Sequence, residues 1–125
     1  MTRRYRIAAA LLAVLWAAGA RAGDPLVDAA RESGRMVLGE FISQTCPACD
    51  ELKPVLLRVL KRHPEILHQV HDADREPELA KRYGVKCVPV LVIVDPGGNV
   101  RFNQVGFWTE EELEQILREA ARPSQ

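Results

Sequence analysis

The sequence predicts a single α/β domain, and three observations carry that expectation. Apolar spacing alternates between helical and strand patterns along the chain. The run Val90-Leu91-Val92-Ile93-Val94 is continuous and β-branched, as in a strand covered on both faces. A short apolar segment ending Phe41-Ile42-Ser43 leads through Gln44-Thr45 into Cys46-Pro47-Ala48-Cys49 and an amphipathic helical stretch. Two thiols three positions apart at a helix start can close into a disulfide and reopen. The first sulfur also sits where unpaired backbone N–H groups and the helix dipole favour a thiolate.

The N-terminus bears on where such a site would work. Arg3, Arg4 and Arg6 form a basic region, and Ile7 to Ala20 is an almost unbroken Ala/Leu-rich run. Ala20-Arg21-Ala22 then places small residues at the two positions a signal peptidase reads. A span needs about 20 apolar residues at helical rise, and this run is shorter. Residues 1–22 are therefore expected to be a cleavable signal peptide. Residues 23–125 would then form one exported or periplasmic domain that does not insert in the membrane. The bland alternative is an uncleaved anchor. The leader carries four of the 17 basic residues and no acid, which leaves 13 basic against 17 acidic side chains, a net −4. That charge offers no footprint for nucleic acid or an anionic surface. Three cysteines are too few for a disulfide-stapled miniprotein, so one chemically active pair is the better account.

The elements follow in order. Asp24 to Ser33 has apolar residues at helical spacing, with Gly34 as a stop. Met36 to Ser43 is a buried strand pattern interrupted by one acid, Glu40. Pro47 suits a first helical turn, where its missing N–H costs nothing. Leu52, Val55, Leu56, Val59 and Leu60 then make an apolar stripe up to His63-Pro64, with Pro54 inside the helix and expected to bend it. Ile66 to Val70 is a short second strand, and Pro77 to Tyr83 a short helix ending at Gly84. After Val90–Val94, Pro96-Gly97-Gly98-Asn99 turns the chain and Val100 to Phe107 returns as a hairpin strand. Thr109 and Glu112 form a capping box for a last helix whose Leu113, Ile116, Leu117 and Ala120 face the core. The expected order is α-β-α-β-α-β-β-α.

With these elements in place the chain resembles the thioredoxin superfamily over nearly all of residues 23–125. The resemblance rests on an ordered set. Cys46-Pro47-Ala48-Cys49 stands at the strand-to-helix junction, and Pro54 follows five residues after the second cysteine. Asp72-Ala73-Asp74 through Tyr83-Gly84-Val85 matches the second strand and its helix, Val88-Pro89 precedes the central strand, and Pro96-Gly97-Gly98 and Gly106 follow. The resemblance implies a thioredoxin fold: a central four-stranded mixed sheet flanked by helices.

It also implies roles. Cys46, expected to be exposed, would be the attacking thiolate, and helix-start sites lower a thiol pKa from about 8.5 to roughly 3.5–7.5. Cys49 would be the resolving thiol. Glu40 stands six residues before Cys46, where thioredoxins carry a buried Asp, and a carboxylate there could accept the Cys49 proton. Its alternative is a strand-edge charge reaching solvent. Pro89 would be cis and would present the Val88 backbone to an extended substrate, with Pro47 and Ala48 on the same substrate face. Cys87, two residues before Pro89, is a candidate accessory thiol or else a small buried residue.

Departures from the family bear on direction. Thr45 replaces the usual Trp, and Pro47-Ala48 replaces Gly-Pro between the cysteines. No histidine lies between Cys46 and Cys49, Asp50 adds a negative charge, and no helical insertion fits between Asp72 and Pro89. These lean toward a reductant over an oxidase or isomerase. The expected activity is thiol–disulfide exchange with protein disulfide substrates, with no cofactor and no metal, and with a membrane electron donor. A thiol-based binding module or metal chaperone, using Cys46, Cys49, Cys87 and one of His63, His68 or His71, is the non-enzymatic alternative. The histidines are otherwise expected at the surface, and Trp108 against the start of the last helix.

Overall fold

A computed structural model describes residues 23–123, so the expected leader, residues 1–22, lies outside the described residues. Helix α1 (Pro25–Ser33) precedes strand β1 (Val37–Ile42), helix α2 (Pro47–Lys61) and strand β2 (Leu67–Asp72). Helix α3 (Pro77–Arg82), the hairpin β3 (Val90–Val94) and β4 (Val100–Val105), and helix α4 (Glu110–Ala120) complete the chain. The sheet order is β2-β1-β3-β4, with β1 and β2 parallel and the other pairs antiparallel. This is the four-stranded mixed sheet of the expected fold.

Period-two alternation distributes the core. From β1 and β3, Leu38, Leu91 and Ile93 pack with Leu52, Leu56, Val59, Leu113 and Leu117 of α2 and α4. Val37, Phe41, Val90, Val92 and Val94 point to the opposite side and pack with Leu26, Ala30 and Tyr83. β3 is therefore covered on both faces, which explains its lack of polar residues.

Each helix start is specified locally. Asp24 accepts the Leu26 and Val27 N–H groups at 3.0 and 3.3 Å, and Gly34 closes α1 with φ of 65°, a left-handed conformation that suits glycine. Thr109 and Glu112 form the reciprocal capping box of α4. The backbone of α2 stays helical through the exposed Pro54, which forfeits one bond, to the Asp50 carbonyl. A clasp joins α2 to α4: Arg62 Nε donates to Glu114 Oε1 at 2.9 Å, Arg58 pairs with Glu110, and His63 Nε2 lies 2.6 Å from Glu114 Oε2. Trp108 meets Phe102 edge-on at 5.8 Å beside the same layer. Among the described residues no helix is long and apolar enough to cross a membrane.

Two strand ends differ from the sequence expectation by more than one residue. β2 continues to Asp72, beyond Val70, because its pairing with β1 runs on to Ile42 opposite Asp72. β4 stops at Val105 because Gly106 turns away with φ of 152°.

Candidate active site

The site begins where β1 hands over to α2. Cys46 is the N-cap of α2, with extended backbone (φ −134°, ψ 92°), and Pro47 occupies the first turn. The Cys49 backbone N–H donates to Cys46 Sγ at 3.1 Å. The sulfur thus takes the place of the oxygen that usually satisfies a free N–H at a helix start. Cys46 and Cys49 are joined by a disulfide, their Cα atoms 5.2 Å apart. Pro47, Ala48 and Asp50 are exposed around it.

The expectation that Cys46 is exposed needs correcting, because it is only 8% accessible. Its sulfur is bonded to Cys49 and accepts the Cys49 N–H at the first turn of α2. Cys49 is 5% accessible.

The sheet register assembles the rest of the rim. Phe41 lies opposite Val90, and Val90 opposite Val105. The chain entering β3 and the chain leaving β4 therefore sit at the same end of the sheet as the exit of β1 toward Cys46. There the Val88–Pro89 bond is cis, Val88 is half-buried and Pro89 buried. The Pro89 carbonyl accepts the Gly106 N–H at 3.1 Å. Phe107 follows, 49% exposed, an apolar residue at this end that sequence reasoning placed in a strand and assigned no role.

Beside Cys49 lies a cavity of about 130 Å³, with Cys49, Asp50 and Lys53 of α2 on one wall and Glu40 and His68 of the sheet on another. Glu40 is 3% accessible, on the face of β1 shared with Leu38, so it is a buried acid and not a strand-edge charge. Its carboxylate Oε2 lies 3.2 Å from His68 Nε2. Burial of a carboxylate without such a partner is strongly disfavoured.

Comparison with known proteins matches this architecture. A family described as "Thioredoxin-like domain" matches residues 25–121. The chain belongs to the thioredoxin-like family. A thioredoxin of Listeria monocytogenes is 31% identical over 83 residues, which cover 66% of this chain and 80% of the relative. An H-type thioredoxin of Brassica campestris is 27% identical over 89 residues, 71% of each chain. Among solved structures, Fasciola hepatica thioredoxin aligns with a TM-score of 0.64 at 27% identity, covering 75% of this chain and 88% of that one. The protein is thus a thioredoxin-like oxidoreductase whose cysteine pair is Cys46 and Cys49.

The remaining candidates of this thioredoxin-like domain fall in separate places. Cys87 is a free, exposed thiol. It lines a hollow with Lys86, Asn103 and Val105, apart from the Glu40 cavity. It is therefore not the small buried residue that was its alternative reading. Among the described residues no three or more His, Cys, Asp or Glu side chains gather as metal ligands, so the drawn set of Cys46, Cys49, Cys87 and a histidine is not brought together. The histidines are not free surface residues either. His71 is 8% accessible, with Nδ1 2.9 Å from Glu76 Oε2 and Nε2 2.8 Å from Gln69 Oε1. His68 joins Glu40, and His63 joins the clasp. Polar residues in β2 looked solvated because the sequence does not disclose what packs beside them.

Proposed function

We propose that this protein is an exported protein-disulfide reductase. The observation that carries the reading is the Cys46–Cys49 disulfide at the head of α2, with the Cys46 sulfur in the helix cap and Cys49 above a buried acid. In the reduced protein the Cys46 thiolate, favoured by the cap N–H and the helix dipole, attacks a substrate disulfide. One substrate sulfur leaves as a thiolate and the other remains bonded to Cys46. Cys49 then gives its proton to Glu40 and attacks Cys46 Sγ. The mixed disulfide breaks, the second substrate thiolate departs, and two electrons have passed from the pair to the substrate.

Binding uses the rim. An extended substrate segment pairs with the Val88 backbone above Pro89, as in strand addition, while Pro47 and Ala48 flank the sulfur. Phe107 supplies apolar surface at the same end. Asp50 and the absence of a cation between the cysteines disfavour the over-stabilised thiolate that makes a strong oxidant. The basic and apolar leader supports export to an oxidising compartment, where a membrane electron donor must return the pair to the dithiol.

The test is reduction of insulin disulfides with single-cysteine variants. Cys46→Ser should abolish turnover and capture nothing, whereas Cys49→Ser should accumulate mixed disulfides with substrate. Equal trapping by both variants contradicts the assignment.

A further inference from the structure

We propose that His68 is a positioning residue for the resolving step: it holds the buried Glu40 carboxylate toward Cys49 and makes that step sensitive to external pH. This rests on the reading of Cys49 as the resolving thiol. Glu40 on β1 is 3% accessible, and His68 Nε2 lies 3.2 Å from its Oε2. The His68 side chain keeps 23% of its surface, so one end of the ring meets the carboxylate and the rest reaches solvent. The wall opposite is α2, with Cys49, Asp50 and Lys53, so the charged groups facing the pair are Asp50 and Lys53. At about 130 Å³ the cavity has room for a few waters at roughly 30 Å³ each, with polar groups to hold them.

With Oε2 engaged by His68, Oε1 is the oxygen left for the Cys49 proton. As that proton moves to Glu40, the Cys49 electron pair forms the bond to Cys46 Sγ. The Cys46–substrate bond breaks, and the substrate sulfur leaves with its pair as thiolate. Glu40 then returns the proton through cavity water. The charge on His68 modulates this transfer, because an imidazolium beside a carboxylate makes it a poorer proton acceptor than a neutral imidazole does.

The experiment mixes the reduced protein, carrying Cys87→Ser throughout so that this exposed thiol releases no colour of its own, in a stopped flow with 5,5′-dithiobis-(2-nitrobenzoate), which releases one coloured thiolate on attack by Cys46 and a second on resolution by Cys49. His68→Gln keeps a donor that does not titrate, and His68→Leu removes it. Both variants should keep the wild-type first phase. The second phase of His68→Leu should slow by about tenfold, within the reach of a lost proton-transfer geometry. The ratio of wild-type to His68→Gln second-phase rates should rise by about threefold from pH 5.5 to 7.5, because a neutral imidazole leaves Glu40 the better proton acceptor, and a ratio that falls overturns the proposal. Second phases of both variants that superimpose on wild type at every pH overturn the proposal. Should His68→Leu fail to fold, the His68→Gln ratio decides: a flat ratio overturns it. A wild-type protein with no second phase would instead contradict the reading of Cys49 on which the proposal rests.

Discussion

Glu40→Leu should make the domain more stable and a poorer catalyst. Glu40 is 3% accessible and shares its strand face with Leu38, beside the layer that contains Leu52 and Leu56. Exchanging buried ion pairs for apolar side chains is commonly neutral or stabilising by about 1–4 kcal/mol. Here only one member is exchanged. His68 loses a hydrogen bond worth about 1 kcal/mol, but at 23% exposure its ring can turn that edge to water. The net expectation is a gain of about 1 kcal/mol, or a Tm higher by roughly 4–8 °C for a domain of this size. The resolving step loses its proton acceptor, and the low end of acid–base contributions is about 10²-fold, since water in the cavity can substitute in part. That is about 2.7 kcal/mol in the barrier. Urea unfolding of the oxidised protein without reductant reads the first effect. The second absorbance phase with the aromatic disulfide reads the second. A variant that is less stable yet resolves at the wild-type rate would refute the reasoning and reduce Glu40 to a structural residue.

Three further outcomes are expected. For His63, desolvation pulls the pKa down, but hydrogen bonds and charge from Glu114 and Glu65 outweigh it and hold the imidazole above its usual value. Its stabilisation is therefore complete below the usual value and lost as pH rises through the raised one. Glu114, held low chiefly by its hydrogen bond with His63, contributes above the usual carboxylate range and loses its share in acid. The stability lost in His63→Asn should accordingly be larger at pH 5.5 than at pH 8.5, and equal losses would contradict the clasp. Gly39→Ala would place a Cβ 2.5 Å from Leu26 Cδ2, a fully buried side chain, so it should destabilise by about 1–3 kcal/mol in urea. Thr109→Ala, which removes half of the capping box, should cost about 1 kcal/mol in the same measurement, and no loss would mean the cap is dispensable.

Most of the architecture was legible because local patterns agree with the tertiary arrangement. Val90–Val94 is apolar at every position because both helical layers need it, and its bounds were read without error. Pro47 after Cys46, and Thr109 with Glu112, marked helix starts through capping chemistry that acts over one turn. The isolation of Glu40 in an apolar strand announced a buried acid. His68 was missed because its significance comes from the parallel pairing of β1 with β2, which brings two segments 28 residues apart under one helix. Nothing near His68 in the chain encodes that register. Cys46 departs from its expectation for a related reason: helix-start position predicts access, yet the residue is 8% accessible with its sulfur bonded to Cys49. The end of β2 is not legible in the sequence because His71 and Asp72 look like loop residues, although His71 is buried between Gln69 and Glu76.

The most direct test of the central claim is the reduction potential of the Cys46/Cys49 pair in the purified protein, equilibrated against glutathione and dithiothreitol. A reductant supplied by a membrane donor requires a value of about −230 to −270 mV, the glutaredoxin-to-thioredoxin range. A value of about −120 to −180 mV would contradict the account and make the protein an oxidant or isomerase of newly exported chains.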